Sequence, residues 1–167
     1  MSNYEDYSST AGSYDRTRSA TGYESILGMA TAAGLTGDGV LLDAGCGTGN
    51  YAAALVPFFS QIEAVDMSAK MLDVAREKLA QYASLDKASF HHGVVDDLPL
   101  PSDSADVAML NQVLHHLPVE PQWSAHVKVF AELGRVVRSG GLLSINTCSR
   151  EQLDDGFWSY ALIPKAV

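Results

Sequence analysis

The sequence predicts an α/β protein built on a doubly wound, Rossmann-like parallel sheet. A short apolar run at residues 40–42 leads into glycines at alternate positions, Gly45, Gly47 and Gly49. This pattern is typical of a buried strand that turns sharply into a helix. A second apolar run ends in the carboxylate of Asp66, 21 positions beyond Gly45. Further strand-like runs alternate with amphipathic helical segments, as expected when helices connect parallel strands.

Five strands are predicted, and they are separated by segments long enough to cross over between parallel neighbours. They cover residues 40–43, 62–66, 88–93, 104–111 and 142–148. The fourth strand is apolar enough for the middle of a parallel sheet. We expect the strand order 3-2-1-4-5, with the first strand central and the fifth strand at one edge.

Four helices are predicted around this sheet. The first covers residues 23–33, and the second covers residues 50–59 with a bend at Pro57, which cannot donate a helical hydrogen bond. Ser68 is the expected N-cap of the third helix, and Pro121 starts the fourth. We assign to the core face of the third helix Met71, Ala75, Leu79 and Tyr82. We assign to the core face of the fourth helix Trp123, Val127, Phe130, Leu133 and Val137.

Length and composition predict one domain and argue against several classes of partner. The chain has 167 residues, of which 47% are hydrophobic, and this is enough to bury a core. The net charge of −9 argues against nucleic acid and anionic membranes, because both attract clustered lysine and arginine. Two cysteines are too few for a disulfide framework or a zinc site, and we expect no metal.

The expected location is the cytoplasm, because no run is long enough to span a membrane and the polar N-terminus lacks the apolar core of a signal peptide. Residues 1–21 are rich in Ser, Thr, Tyr and Gly, and we expect them to form a flexible segment. Residues 22–167 are expected to form the folded domain.

The glycine loop and its two neighbouring carboxylates predict a nucleotide-like ligand. Glycines allow a close approach of ligand and backbone, and the unpaired N–H groups of the following helix favour an anionic group. Asp43 can accept a hydrogen bond from a cationic or N–H group. Asp66 occupies the position where doubly wound folds bind ribose hydroxyls. Dinucleotide-binding domains prefer G-x-G-x-x-G, whereas the spacing here is Gly45-x-Gly47-x-Gly49.

With Leu42-Asp43-Ala44 before it and Asp66 after it, this loop resembles the glycine motif of class I S-adenosylmethionine-dependent methyltransferases, in particular the small-molecule types 11 and 25. Residues 132–141, ELGRVVRSGG, resemble the family's helix exit, where proline commonly stands at the place of Ser139. The resemblance covers residues 39–141 and implies S-adenosylmethionine as the cofactor. The implied contacts in the loop and at the end of the fourth strand are Asp43, Gly45, Cys46, Gly47, Gly49, Asp66 and Asn111.

The resemblance also implies cofactor contacts outside the loop. In the family, a segment with a Tyr and an Arg folds over the cofactor as a lid, which implies that Tyr14 and Arg18 lie near the methionine carboxylate. Met67 either packs against the adenine ring, as the family implies, or is part of the core. An acidic residue in a loop like 94–101 takes the adenine amino group; Asp96 is the first choice and Asp97 the second.

A pair of histidines often follows the fourth strand in the family. The resemblance implies that His115 or His116 faces the methyl group, as a base or as a group that positions the substrate. Alternatively, both only cap and pack the short helix. Because a sulfonium methyl is already activated, the protein mainly aligns the reactants, and a base helps only where the nucleophile keeps its proton. The catalytic residues therefore stay open.

The predicted function is S-adenosylmethionine-dependent methyl transfer to a small-molecule acceptor. The fourth strand ends in Asn111-Gln112-Val113-Leu114, without the Asn-Pro-Pro-aromatic motif of methylases that act on adenine or glutamine amides. One alternative is a non-catalytic or truncated S-adenosylmethionine-binding module. The other is a nucleotide-dependent oxidoreductase, against which the glycine spacing counts.

The family's core continues after the fifth strand with a helix and an antiparallel hairpin that these 167 residues do not supply. An uncovered apolar edge can pair with another chain. We therefore expect the chain to bind cofactor, to be weakly active or inactive alone and to self-associate through the edge of the fifth strand. The aromatic tail from Phe157 to Ile163 either shields this edge or begins a helix over the substrate. Cys148 is expected to be an inert, partly buried thiol.

Overall fold

The five predicted strands form one parallel sheet in the computed structural model, which describes residues 19–118 and 121–147. The strands are β1 Val40–Ala44, β2 Gln61–Asp66, β3 Ala88–His92, β4 Ala105–Asn111 and β5 Val137–Asn146. The helices are α1 Tyr23–Ala32, α2 Asn50–Leu55, α3 Ala69–Leu79 and α4 Ser124–Val136. Single turns of 3₁₀ helix lie at Val56–Phe58, Leu85–Lys87, Leu114–His116 and Pro121–Trp123.

The strand order is β3-β2-β1-β4-β5, and every neighbouring pair is parallel. The predicted fold class and strand order are confirmed. Tyr14, Arg18, Cys148, the aromatic tail and any C-terminal hairpin lie outside the described residues. Within those residues, none of the helices combines the length and apolar character that crossing a membrane requires.

The central strand β1 is buried on both faces of the sheet. Leu41 packs with residues of α1, α2 and α3, whereas Leu42 packs with residues of α4 on the other face, and neither side chain is exposed. A strand covered on both faces needs apolar residues at successive positions, which explains the run at the start of the glycine motif.

Two of the predicted helix signals are confirmed and one is wrong. The helix α2 ends at Leu55 and continues as a 3₁₀ turn that contains Pro57. The Ser68 side chain caps α3 by accepting a hydrogen bond from the Met71 N–H at 3.4 Å. Tyr82 was assigned to the core face of α3, but it is 61% exposed. Because α3 ends at Leu79 and the chain then turns, the helical spacing no longer applies to Tyr82.

The predicted core face of α4 is also wrong in most of its positions. Trp123, Val127 and Phe130 are exposed, by 56%, 61% and 41%, and Trp123 precedes the helix. The buried residues are Val129, Leu133 and Val136. Two apolar stripes with helical spacing coexist in this sequence, so periodicity alone could not choose between them. Contacts of the polar side of α4, described below, fix which stripe faces the sheet.

The strand β5 begins at Val137, five residues before the predicted start, and it is described to Asn146. Its pairing with β4 is irregular: Val137 pairs with Ala105, but Leu142 pairs with Val107. The sequence Ser139-Gly140-Gly141, expected to be a helix exit, therefore forms a bulge within the strand. Arg138 in this bulge is paired with Asp106 of β4.

Candidate functional site

The glycine loop at residues 45–49 is fixed against the end of β2. The backbone N–H groups of Gly45 and Cys46 both donate to the carbonyl of Val65, at 2.8 and 2.9 Å. The N–H of Gly47 donates to Oδ2 of Asp66 at 2.8 Å. The loop conformation is thus set by backbone hydrogen bonds to the neighbouring strand.

The three glycines of the loop serve different purposes. A Cβ at Gly45 would lie 2.5 Å from Cγ2 of Val113, and a Cβ at Gly49 would lie 3.0 Å from the side chains of Ala75 and Leu79. These two glycines permit close packing within the protein. Gly47 has φ of +53°, and no atom of the described residues lies within 4 Å of a Cβ position there. The middle glycine therefore forms the open wall of a cradle where a ligand can approach the backbone.

Asp43 is the penultimate residue of β1, just before this loop, and is 2% exposed. Its Oδ2 atom is buried and has no hydrogen-bond partner among the described residues. Burial, followed by the charge of Asp66, raises the pKa of Asp43 from 3.8 to about 7, against a lowering contribution from a hydrogen bond with the Ala52 backbone. Since buried polar atoms are nearly always paired, the Oδ2 atom is suited to a cationic or N–H group of a ligand.

Asp66, at the end of β2, already holds two backbone groups. Its Oδ2 accepts from Gly47 and its Oδ1 accepts from the N–H of Ser68 at 2.8 Å. Burial raises the pKa of this carboxyl, while the two N–H groups and the charge of His92 oppose the rise. Asp66 therefore connects the glycine loop to the start of α3, a role that the sequence did not indicate. Each oxygen keeps acceptor capacity for a hydroxyl.

Asn111 ends β4, the other neighbour of β1. It is 8% exposed, and both Nδ2 and Oδ1 are buried without a hydrogen-bond partner. Its amide and the Oδ2 atom of Asp43 thus leave unpaired polar atoms at the ends of two adjacent strands. The residues present fit a polar cofactor at this edge of the sheet.

The segment after β3 lies beside the end of β2. The N–H of Gly93 donates to the carbonyl of Asp66 at 3.1 Å, and Nε2 of His92 lies 2.9 Å from the carbonyl oxygen of Met67. The side chain of Met67 is 56% exposed. Asp97 helps to raise the pKa of Arg135 in α4, after the larger effect of Glu132.

His115 and His116 lie in the 3₁₀ turn that follows β4. Their ring centroids are 4.0 Å apart and the rings are inclined at 47°. Both side chains are partly buried. The structure places the pair four and five residues beyond Asn111, and their chemical role stays a prediction.

A polar cluster that the sequence analysis missed joins α2 to β5. Tyr51 donates from its hydroxyl to the carbonyl of Thr21 at 2.9 Å, and it also bonds the side chain of Asn146. Gln112, with φ of +57°, donates from its N–H to the Asn146 carbonyl at 2.6 Å and from Nε2 to its Oδ1 at 3.3 Å. The available signal was polar residues at the carboxyl ends of adjacent apolar strands, where ligands bind in such sheets.

Metal ligation finds no support in the part of the chain that the structure describes. Among residues 19–118 and 121–147, no group of three or more His, Cys, Asp and Glu side chains is arranged to hold a metal ion. The thiol of Cys46 is buried, and burial is the main cause that raises its pKa well above 9. This cysteine is therefore a neutral packing residue in the loop.

Comparisons with known proteins agree with this geometry. A family model described as "Methyltransferase domain" matches residues 42–145. A malonyl-[acyl-carrier protein] O-methyltransferase of Serratia marcescens is 32% identical over 155 residues, which are 89% of this chain and 53% of that protein. A demethylmenaquinone methyltransferase of Clavibacter sepedonicus is 32% identical over 166 residues, covering 96% of this chain and 64% of that protein.

A crystal structure of an S-adenosylmethionine-dependent methyltransferase from Aquifex aeolicus shares the fold, with a TM-score of 0.62 and 24% identity, over 85% of this chain and 76% of that one. The chain spans about half to two thirds of the length of the two curated relatives. The sheet order and the matched region together identify the chain as a member of the methyltransferase domain family, with the class I S-adenosylmethionine-dependent fold.

Proposed function

We propose that this chain binds S-adenosylmethionine and transfers its methyl group to a small-molecule acceptor. The observation that carries the proposal is the cradle at Gly47, with the unpaired Oδ2 of Asp43 and the unpaired amide of Asn111 below it. When bound, the cofactor supplies a sulfonium methyl that is already activated for in-line displacement. The protein's task is then to bind, to orient and to exclude water.

The methionine and ribose parts of the cofactor are assigned to the ends of β1, β2 and β4. Asp43 and Asn111 offer oxygen acceptors to the methionine ammonium group. Asp66 offers its remaining lone pairs to the ribose hydroxyls while it holds the N–H of Gly47. The backbone of Cys46, fixed by Val65, completes the wall beside the ligand.

The adenine end is assigned to the segment after β3. Met67, whose side chain is 56% exposed, is proposed to cover one face of the ring. Of the two adjacent carboxylates, Asp96 is proposed as the acceptor for the adenine amino group, because the charge of Asp97 already acts on Arg135.

Tyr14 and Arg18 are proposed to close over the methionine carboxylate. Both lie outside the described residues. Support comes from Thr21, whose carbonyl accepts the hydrogen bond of Tyr51 beside the site. The described residues before α1, 19–22, therefore contact the first turn of α2, which follows the glycine loop.

The acceptor is proposed to bind beside His115 and His116, above the carboxyl ends of β4 and β5. Two relatives are named for different acceptors, malonyl-[acyl-carrier protein] and demethylmenaquinone. These names support a class of acceptor rather than one compound. The cytoplasmic location expected from the sequence stays a prediction.

Calorimetry with S-adenosylmethionine and S-adenosylhomocysteine, beside NADH fluorescence, tests the proposal. We expect both adenosyl ligands to bind and NADH not to bind. Turnover on candidate acceptors then separates an enzyme from a binding module. Binding of NADH in place of the adenosyl ligands would favour the oxidoreductase alternative and refute the proposal.

Self-association through β5 is a separate proposal. Among the described residues, β5 pairs only with β4, and Leu143 and Ile145 on it are 38% and 41% exposed. We expect light scattering to show dimers or larger species whose proportion rises with concentration, and Leu143→Lys to reduce it. A monomer at all concentrations would refute this.

A further inference from the structure

One ion pair on α4 binds the segment that connects β3 to β4. Oε2 of Glu132 accepts a hydrogen bond from the Leu98 N–H at 2.9 Å. Arg135 donates from Nη2 to the Leu98 carbonyl at 3.0 Å and from Nη1 to the Leu100 carbonyl at 2.8 Å. The two side chains also bond each other, at 2.7 and 2.9 Å. Glu132 and Arg135, one helical turn apart, therefore bind the N–H and the carbonyl of Leu98 and the carbonyl of Leu100.

Only a few residues separate these hydrogen bonds from the proposed cofactor site. Gly93 is fixed to the carbonyl of Asp66 at 3.1 Å, and Leu98 is 3% exposed, so residues 94–97 are held at both ends. An isolated bridge between Val94 and Asp97 closes them into a tight turn. A shift of the α4 contact would therefore move this turn directly.

The same ion pair distinguishes the two carboxylates of the turn. The charges of Glu132 and Asp97 both act on Arg135, and the hydrogen bond from Arg135 lowers the pKa of Glu132. Of the two carboxylates, Asp97 is the one whose charge contributes to the raised pKa of Arg135, which leaves Asp96 as the carboxylate proposed for the ligand.

We propose that Glu132 and Arg135 are positioning residues for adenine recognition, because they fix the turn at residues 94–97 so that Asp96 meets the adenine amino group. The inference rests on the proposed function and deepens it. It assigns a binding role to a pair that the sequence analysis treated as part of a helix exit. Selectivity for the amino group depends on the placement of one acceptor, so a loosened turn weakens selectivity.

Calorimetry with S-adenosylhomocysteine and S-inosylhomocysteine tests the inference, because the second ligand carries a carbonyl in place of the amino group. We expect the unmodified protein to prefer the adenosyl ligand by about tenfold or more. Arg135→Met removes both carbonyl contacts and should reduce this preference to below about threefold. Arg135→Lys keeps the charge without the forked geometry and should give an intermediate preference.

Arg76→Met is the matched control. Arg76 forms an ion pair of the same i, i+3 spacing with Asp73 at 3.1 Å on α3, and it makes no contact with the turn at 94–97 in the hydrogen bonds of the described residues. We expect its ligand preference to equal that of the unmodified protein. Circular dichroism of each variant shows whether the fold is retained.

Three results would overturn the inference. If a folded Arg135→Met protein keeps the full preference for the adenosyl ligand, Arg135 does not position the turn. Equal losses for both ligands, with the preference unchanged, show that the pair supports only stability. If Arg135→Met does not fold, an unchanged preference for the adenosyl ligand in Arg135→Lys refutes the positioning role instead.

The proposed function fails separately. If the unmodified protein binds neither ligand, S-adenosylmethionine is the wrong cofactor, and the inference falls with it. If it binds both ligands equally well, the cofactor assignment stands and the positioning of Asp96 is wrong.

Discussion

The glycine loop after β1 and the segment after β4 lie at the same edge of the sheet, but they are held in different ways. In the loop, Gly45, Cys46 and Gly47 are all bonded through their backbone N–H groups to the end of β2. After β4, the backbone of Gln112 is bonded to Asn146, and side chains make most of the further contacts of the cluster.

Only the glycine-loop half of the site leaves a specific pattern in the sequence. Backbone contacts need glycines and a carboxylate at fixed spacings, and these are recognisable. Side-chain contacts between distant elements, such as Tyr51 with Asn146, leave no fixed spacing and are marked only by polar residues at strand ends. The comparison predicts that changes in the loop have large effects on cofactor affinity and changes after β4 have small ones.

Gly47→Val should have the largest effect on affinity. A β-branched residue is strained at φ of +53°, and its methyl groups would enter the open space of the cradle. We expect S-adenosylhomocysteine affinity to fall by about a hundredfold or more, which corresponds to about 3 kcal/mol.

Gly37→Val is the matched control for this variant. Gly37 has φ of +80° and no atom within 4 Å of a Cβ position, but it lies before β1, at the opposite end of the strand. It should lose comparable stability, about 1–2 kcal/mol, without loss of affinity. Normal affinity in a folded Gly47→Val protein would show that the loop does not hold the ligand.

Asp66→Ala should have the second largest effect. It removes a charge-assisted ribose contact worth about 1.5–3 kcal/mol, and it also frees the N–H groups of Gly47 and Ser68. A 2′-deoxy analogue of the ligand separates these two effects, because it lacks one of the hydroxyls. If the variant and the unmodified protein discriminate equally against this analogue, the assignment of Asp66 to the 2′-hydroxyl fails.

The effect of pH on affinity should be smaller. Burial raises the pKa of Asp43 in the free protein from the ordinary value of 3.8 to about 7. Only the ionised carboxylate attracts the ligand's ammonium group, so affinity for S-adenosylhomocysteine should rise about tenfold between pH 6 and pH 8. Calorimetry across this range measures it, and a flat profile would contradict the assignment.

Stability should show the opposite dependence on pH. Between about pH 4 and pH 7 the folded protein keeps a proton on Asp43 that the unfolded chain releases, so the free energy of unfolding falls as pH rises through this range. Asp43→Asn should remove the contribution of Asp43 to the pH dependence of affinity and of stability. At pH 8 the ligand-free variant should be more stable than the ligand-free unmodified protein. The pKa of Asp66 is also raised, so Asp66 contributes a slope of the same sign that remains in Asp43→Asn.

Replacing His115 and His116 by Ala should have the smallest effect on affinity, within about twofold. If either histidine acts as a base, turnover should fall by about 10²–10⁴-fold with the acceptor that needs one. Calorimetry and a turnover assay on the same preparations separate binding from catalysis. A tenfold loss of cofactor affinity would indicate that the pair contacts the cofactor. It would contradict the expectation that changes after β4 affect affinity less than changes in the glycine loop.

The same contrast explains how much of the fold the sequence predicted. The existence of the strands followed from apolar runs and turn glycines, which depend on neighbouring residues, and their order followed from the doubly wound fold class that this pattern indicates. The start of β5 did not, because the bulge at 138–141 depends on pairing with β4, where a Cβ at Gly141 would lie 2.7 Å from the Asp106 carbonyl oxygen. Gly141 and Asp106 are 35 residues apart in the sequence, so no local pattern reveals this contact.

The rotation of α4 could not be predicted for a related reason. Two apolar stripes are available, and the contacts of Glu132 and Arg135 with Leu98 and Leu100 select the one that includes Val129 and Val136. Likewise, the spacing of Asp66 suggested a ribose ligand but not its hydrogen bond to the glycine loop. In each case, the missing information is a contact between segments distant in sequence.

The central position of β1 has a consequence for folding during synthesis on the ribosome. Its pairing with β2 joins Leu41 to Ile62, but its pairing with β4 joins Leu41 to Val107, 66 residues later. At about 5–20 residues per second, the second partner emerges roughly 3–13 s after Leu41. During that interval one edge of an apolar strand lacks its partner, and such an edge can pair with another chain.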